Sequence, residues 1–209
     1  MNKITLFIFT LFFTHLSFSQ NWTLAKNEDG IKVYTRQIEG SSLKEFKGET
    51  QIKGTIESFV ALLRDVPNFH LFFESAMNPK LLKLQGDTLQ IHYLQTKAPW
   101  PVSNRDGVYQ YLYQYNANQK ELLVGLKALP TYSKKEADFV RVPEASGFWK
   151  AKQVTSTEIS VVYQLHANPG GSLPAWLANS SSIDLPFNTL TKLKERIVLK
   201  QYQNKKLPF

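Results

Sequence analysis

The sequence predicts an α+β fold in which a curved antiparallel sheet is covered by a long C-terminal helix. Short runs of alternating apolar and polar residues fill the middle of the chain, turn residues separate these runs, and one long amphipathic pattern follows the last of them. A sheet with one apolar face and a helix with one apolar stripe bury these surfaces against each other. The pattern alone does not decide whether the enclosed space is hollow or filled by side chains.

The composition is typical of one compact domain. The chain has 209 residues, of which 43% are hydrophobic and 13% aromatic, and no repeat or linker interrupts residues 20–209. It has no cysteine, which excludes disulfides, thiolate nucleophiles and zinc–thiolate sites. The net charge of +8 suits nucleic acid or an anionic lipid surface. We expect no nucleic-acid partner, because the sequence has no zinc-finger spacing, helix-turn-helix pattern or aromatic RNA-binding motif.

Residues 1–19 match a secretory signal peptide. Lys3 precedes an apolar run over residues 4–13, and Ser17 and Ser19 stand three and one positions before the expected cleavage site. The run is shorter than the roughly 20 apolar residues that cross a bilayer, although an uncleaved membrane anchor is the alternative. We therefore expect export of a mature domain spanning residues 20–209, to the periplasm in a two-membrane bacterium and otherwise to the exterior.

Strands are predicted where the apolar residues recur at every second position. A first hairpin covers residues 31–36 and 43–52, and residues 21–27 should form a short irregular or helical entry. A helix is predicted over residues 55–64, where the apolar residues recur at helical spacing. Further strands are predicted over residues 81–84, 88–95, 108–115, 121–126, 139–142, 148–153 and 158–166.

A long amphipathic helix is predicted to close the chain after the turn at residues 168–171. Ser172 is a suitable cap, and Pro186 should kink or restart the helix. Its apolar stripe contains Phe187, Leu190 and Ile197.

The basic residues of this helix raise a choice between two interpretations. Lys192, Arg196 and Lys200 lie largely off the apolar stripe. In the first interpretation, the helix leaves the sheet to admit a ligand and contacts an anionic membrane transiently through these cations. In the second, the helix is permanently packed and its basic face is solvated.

The strand that begins at residue 105 has the sharpest local pattern. Its odd-numbered positions, which share one face, are Arg105, Gly107, Tyr109, Tyr111, Tyr113 and Tyr115. Facing a cavity, the tyrosines offer apolar ring area and hydroxyls that can bond the polar end of a lipid, with Tyr109 and Tyr111 best placed. The alternative is that they decorate an amphipathic strand.

Four segments, in order, resemble the START family of lipid-transfer domains. Residues 100–106 read WPVSNRD, similar to the family's aromatic-Pro-x-x-x-Arg-Asp segment, and residues 168–179 read NPGGSLPAWLAN, similar to its Asp-Pro-Gly-Gly run into the last helix. Residues 29–36 read DGIKVYTR, like its first strand, and a looser match covers Val140, Arg141 and Trp149. The resemblance covers residues 22–199.

The resemblance implies a helix-grip fold around a hydrophobic cavity and non-enzymatic binding of a single lipid, for transfer or sensing. It implies no cofactor, and we expect a monomer. Counting from Arg105, the positions at which cholesterol-binding relatives pair a buried carboxylate with an arginine fall on His92 and Tyr111. The charged pair is therefore absent and sterol is not implied, although a neutral imidazole and a phenol can still bond each other or a ligand hydroxyl at a lower desolvation cost.

The predicted ligand-binding residues are His92, Trp100, Arg105, Tyr109, Tyr111, Arg141, Trp149, Tyr163, Phe187, Leu190 and Ile197. Arg105 can hold a phosphate or carboxylate if it faces inward, or it can clamp a loop. No catalytic or metal site is predicted, because the sequence has no nucleophile elbow, metal triad or phosphate loop. The alternatives are a cyclase- or aromatase-like enzyme on the same fold, and an envelope interaction protein with a filled cavity.

Overall fold

The computed structural model describes residues 21–209, so the predicted signal peptide lies outside the described residues. The helices are α1 (Ile56–Arg64) and α2 (Ala175–Ile197), and short 3₁₀ turns cover Val66–Leu71 and Lys200–Tyr202. The strands of this part of the chain are β1 (Thr23–Glu28), β2 (Ile31–Gln37), β3 (Lys44–Lys53), β4 (Ala76–Gln85), β5 (Leu89–Thr96), β6 (Arg105–Asn116), β7 (Glu121–Ala128), β8 (Val140–Arg141), β9 (Glu144–Gln153) and β10 (Glu158–Asn168).

The strands form one open sheet in the order β1-β2-β3-β10-β9-β7-β6-β5-β4. All of these neighbours are antiparallel, and the short β8 adds a parallel pair to β6. The predicted α+β helix-grip fold, with an antiparallel sheet and a long C-terminal helix, is confirmed.

The prediction of an irregular or helical entry over residues 21–27 is wrong. Residues 23–28 form the edge strand β1, which pairs with β2. Most of its side chains are exposed on both faces, so the alternation that reveals a half-buried strand is missing here. Backbone pairing to β2 defines this strand instead.

Helix α2 packs on β2 and β3 through the apolar stripe of its second half. Gly48 permits the close approach, because a Cβ atom at this position would lie 2.7 Å from Leu190 Cδ1. Leu190, Leu193 and Ile197 are fully buried. Pro186 lies inside α2, and the helix continues through it without the predicted restart.

Helix α1 fills another part of the concave side of the sheet. Its first turn is capped by the Thr55 hydroxyl, which accepts a hydrogen bond from the Ser58 N–H (3.2 Å). Phe59 packs edge-on against Trp149, with ring centroids 5.9 Å apart. The part of the concave side that neither α1 nor the second half of α2 fills contains the candidate site.

Candidate ligand-binding cavity

A cavity of about 510 Å³ lies between the concave face of the sheet and the first half of α2. Ligand pockets for small molecules typically measure about 300–1,000 Å³. Most of its wall is apolar, and the apolar residues include Leu43, Phe46, Phe73, Leu94, Leu126, Val142, Ala145 and Leu165. The space that sequence alone left undecided is therefore hollow, and the filled-cavity alternative does not fit it.

The tyrosine face of β6 points into the concave side, and two of its four rings line the cavity. These are Tyr109 and Tyr111. The Tyr109 ring folds back over Gly107, where an added Cβ atom would lie 2.5 Å from the Tyr109 hydroxyl oxygen. Tyr113 instead points towards α1, and its hydroxyl donates to the Leu63 carbonyl (3.1 Å). Tyr115 lies near Phe209, with ring centroids 6.4 Å apart.

His92 lies beside these tyrosines, on β5. It pairs in register with Tyr109, and its ring meets that of Tyr111 edge-on, with centroids 4.7 Å apart. It is 2% exposed, and burial lowers its pKa to about 3, so the imidazole is neutral at physiological pH. Within residues 21–209, its Nδ1 atom is buried without a hydrogen-bond partner. The structure thus brings His92 and Tyr111 together through ring contact.

Tyr163 on β10 supplies a third phenol to the wall of the cavity. Its ring stacks on that of Trp149, with centroids 3.8 Å apart and an interplanar angle of 2°. Burial raises the pKa of Tyr109, Tyr111 and Tyr163, so all three are uncharged. The Trp149 N–H faces Tyr111 and opposes the rise in the pKa of Tyr111 that burial causes, but it makes no hydrogen bond of normal geometry.

The chain is similar to known proteins in both sequence and fold. No family model matches the chain. An uncharacterised protein of Pseudomonas aeruginosa is 38% identical over 176 residues, which cover 84% of this chain and 86% of that protein. The crystal structure of a STAR-related lipid transfer protein from Xanthomonas axonopodis superposes with a TM-score of 0.80 at 42% identity, covering 85% of this chain and 99% of that one. The chain belongs to the START family.

Two proteins of lower sequence identity are also named for lipid transfer. The mouse phosphatidylcholine transfer protein is 27% identical over 172 residues, which cover 76% of this START protein and 75% of the mouse protein. The human StAR-related lipid transfer protein 5 has a TM-score of 0.73 at 17% identity over 84% of this chain and 86% of its own, which shows a shared fold.

Two arginines that the sequence placed in the ligand site of this START domain hold loops instead. Arg105 borders the cavity, but its guanidinium donates to the carbonyls of Ser103, Pro169 (3.4 Å) and Gly170 (3.2 Å). Arg105 therefore acts as the loop clamp that was one of its two predicted roles. The turn it clamps is intact, because the Asn168 side chain accepts a hydrogen bond from the Gly170 N–H (2.9 Å).

Arg141 does not line the cavity, which corrects its assignment as a ligand-binding residue. It forms two bonds to the Asp106 carboxylate (2.9 and 2.8 Å) and donates to the carbonyls of Pro130, Ser133 and Lys134. Asp106 follows Arg105 on β6 and therefore faces away from the tyrosines. This network ties the loop after β7 to the outer face of the sheet.

Five further predicted residues lie outside the cavity wall. Trp149 is fully buried behind Tyr163, and Phe187, Leu190 and Ile197 pack into the core beneath the second half of α2. Trp100 is 93% exposed, although its neighbours at residues 97–99 line the mouth of the cavity. The apolar stripe of α2 thus belongs to the core rather than to the ligand site.

Sequence analysis missed the part of α2 that does border the cavity. Most of these residues are small or polar, and two are leucines: Leu177, Ala178, Asn179, Ser181, Ser182, Asp184, Leu185, Asn188 and Thr189. They do not follow the apolar stripe, so hydrophobic periodicity could not reveal them. Asn179 also joins α2 to the loop before β3, where it accepts from the Lys44 N–H (2.9 Å) and donates to the Ser42 carbonyl (3.2 Å).

The basic residues predicted to touch a membrane differ in their surroundings. Lys192 forms an ion pair with Glu74 (2.6 Å), Arg196 is partly buried, and Lys200 is exposed. Among the described residues, no helix has the length and apolar character needed to cross a membrane, and no group of three or more His, Asp or Glu side chains is arranged to hold a metal ion.

Proposed function

We propose that this START domain binds a single hydrophobic lipid in its cavity and carries or senses it without catalysing a reaction. The observation that supports this most directly is the hollow of about 510 Å³, which is walled mainly by apolar side chains. A water molecule finds few hydrogen-bond partners on an apolar wall. An apolar ligand that enters the cavity removes its own surface and that of the wall from water, which is favourable. The relatives named for lipid transfer, including the phosphatidylcholine transfer protein, support the same function.

The geometry favours binding over acid–base catalysis. A general base works best with a pKa near the operating pH. The pKa of His92 is about 3, and burial is the cause of this shift. A histidine tuned for proton transfer would need a neighbouring carboxylate to raise its pKa, and the contacts of the His92 ring are instead to Phe69, Tyr109 and Tyr111.

We further propose that the first half of α2, residues 175–185, opens to admit the ligand. This segment covers the cavity and lacks a side-chain cap at its start, and Trp176 on it is 72% exposed. Trp100 is exposed on the loop beside the mouth. Because indole rings favour the membrane–water interface, this edge of the molecule suits transient contact with a bilayer. The exposed Lys44 and Lys97 border the cavity here and add attraction to anionic lipid, whereas Lys200 follows the opposite end of α2.

We also propose that the domain acts outside the cytoplasm, since residues 1–19 have the pattern of a signal peptide. Mass spectrometry of the exported protein should find a chain that begins at Gln20. A cytoplasmic chain that retains residues 1–19 would contradict this.

Filling the cavity tests the binding function. Ala145 lines the cavity on β9, and Ser146 is the next residue on the opposite, exposed face. We expect the wild-type protein and the control Ser146→Phe to retain co-purified lipid in native mass spectrometry and to take up lipid from vesicles. Ala145→Phe should remain folded by circular dichroism and lose most of both. Lipid binding that is unchanged in folded Ala145→Phe, or wild-type protein that is empty and takes up no lipid, would contradict the proposal.

A further inference from the structure

The polar groups around the cavity are sorted by depth. The charged side chains Lys44, Lys97 and Asp184 border the cavity and are exposed, whereas Glu74 is half-buried and already paired with Lys192. Deeper in the wall the polar side chains are His92, Tyr109, Tyr111 and Tyr163, together with Ser182 and Thr189, whose hydroxyls already bond backbone groups. A ligand that enters the cavity therefore leaves charged groups at the mouth and meets uncharged ones inside.

These inner groups have unused hydrogen-bonding capacity. Across residues 21–209, the hydroxyls of Tyr109 and Tyr163 take part in none of the hydrogen bonds, and His92 Nδ1 is buried without a partner. Tyr113, on the same strand and face, differs because its hydroxyl bonds the Leu63 carbonyl. Tyr109 and Tyr163 line the hollow, so their unbonded hydroxyls can pair with a polar group of a ligand that occupies it, whereas His92 Nδ1 itself is enclosed by protein atoms.

Arg105, the buried cation that borders the cavity, has its donors occupied by the protein. Arg105 is 7% exposed, and its donors point at three backbone carbonyls of the loops that frame the mouth. An anionic ligand group would have to compete for these donors. An ionised group in the inner cavity would meet no opposite charge from the imidazole and phenols, and burying an uncompensated charge costs far more than burying a hydroxyl that finds a hydrogen bond.

We propose that the cavity selects lipids whose buried polar end is an uncharged hydroxyl, bound by His92 and the hydroxyls of Tyr109, Tyr111 and Tyr163. A hydroxyl both donates and accepts, so it can pair with a neutral imidazole and with a phenol together. The inference rests on the proposed lipid-binding function and names the ligand class for that site.

A matched series of probes tests the selectivity. The delipidated protein is loaded with diphenylhexatriene, a fluorescent hydrocarbon, which is then displaced by a long-chain alcohol, or by the carboxylic acid or primary amine of the same chain length, at neutral pH. The alcohol should displace the probe at a concentration at least about tenfold lower than either charged compound, which corresponds to about 1.4 kcal/mol. Equal displacement by all three, or a preference for the acid or the amine, would overturn the inference.

Variants then assign the preference to the inner cluster. His92→Phe and Tyr163→Phe keep an aromatic ring and remove a hydrogen-bonding group, so each should weaken alcohol binding about 2- to 10-fold without weakening the binding of diphenylhexatriene. Tyr113→Phe is the control, because its hydroxyl bonds α1 and its ring does not line the cavity. If His92→Phe does not fold, Tyr163→Phe carries the test alone. Weakening in the control equal to that in the folded cluster variants would contradict the assignment.

The displacement experiment distinguishes a wrong ligand class from a wrong lipid-binding function. If diphenylhexatriene binds but the probe series shows no preference for the alcohol, the ligand class is wrong and the lipid-binding function stands. If the protein binds neither the hydrocarbon nor any of the three compounds, the lipid-binding function itself is wrong.

Discussion

The two halves of helix α2 perform different tasks although they form one continuous element. The second half packs Leu190, Leu193 and Ile197 into the core with no exposed surface, and Gly48 lets it approach the sheet closely. The first half covers a hollow, and its exposed residues include Trp176. The second half of α2 is therefore fixed by core packing, whereas the first half has less packing beneath it.

The residue types in the first half of α2 also make its helix less stable than that of the second half. Residues 179–182 read NSSS, and the hydroxyls of Ser180 and Ser181 bond back to the Leu177 carbonyl. Serine and asparagine have lower helix propensity than alanine or leucine, and such back-bonding slightly destabilises helices. Pro186, which lacks a backbone N–H, stands at the junction. The first half is thus expected to open at a lower free energy than the second.

Truncation of one leucine in each half should produce the largest contrast. Leu190→Ala leaves a cavity in a fully buried site and should lower the free energy of unfolding by about 2–5 kcal/mol. Leu177→Ala, at a half-buried position over the hollow, should cost no more than about 1 kcal/mol. Urea unfolding of both variants measures this, and similar costs at the two positions would remove the distinction between the halves.

The pH dependence of stability tests whether water reaches His92 beneath the first half of α2. The folded-state pKa of His92 is about 3, against 6.5 as its ordinary value. Above pH 6.5 the imidazole is neutral in both states, and below it the unfolded chain takes up a proton that the folded one does not. The associated stability is therefore complete above about pH 6.5 and is lost as the pH falls towards 3, by about 2 kcal/mol at about pH 5.

Urea unfolding at neutral pH and at about pH 5 measures this loss, and His92→Phe is the comparison. The variant should be less sensitive to acid by the amount assigned to His92. A smaller difference would mean that the first half opens and lets water reach the imidazole before the protein unfolds globally. Identical acid sensitivity in the two proteins would contradict the buried, neutral histidine.

Releasing the tether of the first half should have the smallest effect on stability and a clear effect on opening. Asn179→Ala removes two bonds to the loop at residues 42–44, and we expect it to cost about 1 kcal/mol or less in global stability. Hydrogen exchange should quicken in residues 175–185, and lipid uptake from vesicles should quicken with it.

The control for this prediction is Glu195→Ala, an exposed position on the second half of α2. It should change neither hydrogen exchange nor lipid uptake. An increase in exchange in Asn179→Ala that extends equally over residues 186–197 would mean that α2 moves as a single unit.

Much of the candidate site was predictable where a local rule applied. Alternation along β6 placed Tyr109 and Tyr111 on one face, and the resemblance to cholesterol-binding relatives, counted from Arg105, drew attention to His92 and Tyr111. No local rule gives the distance between a helix and a sheet. The apolar stripe of α2 therefore suggested ligand contacts for Phe187, Leu190 and Ile197, all of which are core residues.

The arginines show the same limit. Arg141 pairs with Asp106, which is 35 positions away, and Arg105 clamps a turn more than 60 positions away. Neither partner is encoded in the spacing around the arginine. Only the folded chain shows that their donors are already occupied.

The amino-acid sequence by itself determined the sheet and helix class, the family resemblance and the placement of four tyrosines on one face of β6, because these depend on periodicities and short motifs that act over a few residues. The tertiary structure decided which inward side chains border a hollow and which pack solidly, and where the charged groups find partners. Those outcomes depend on the separation between surfaces brought together from distant parts of the chain, and packing sets that separation only after the whole fold has formed.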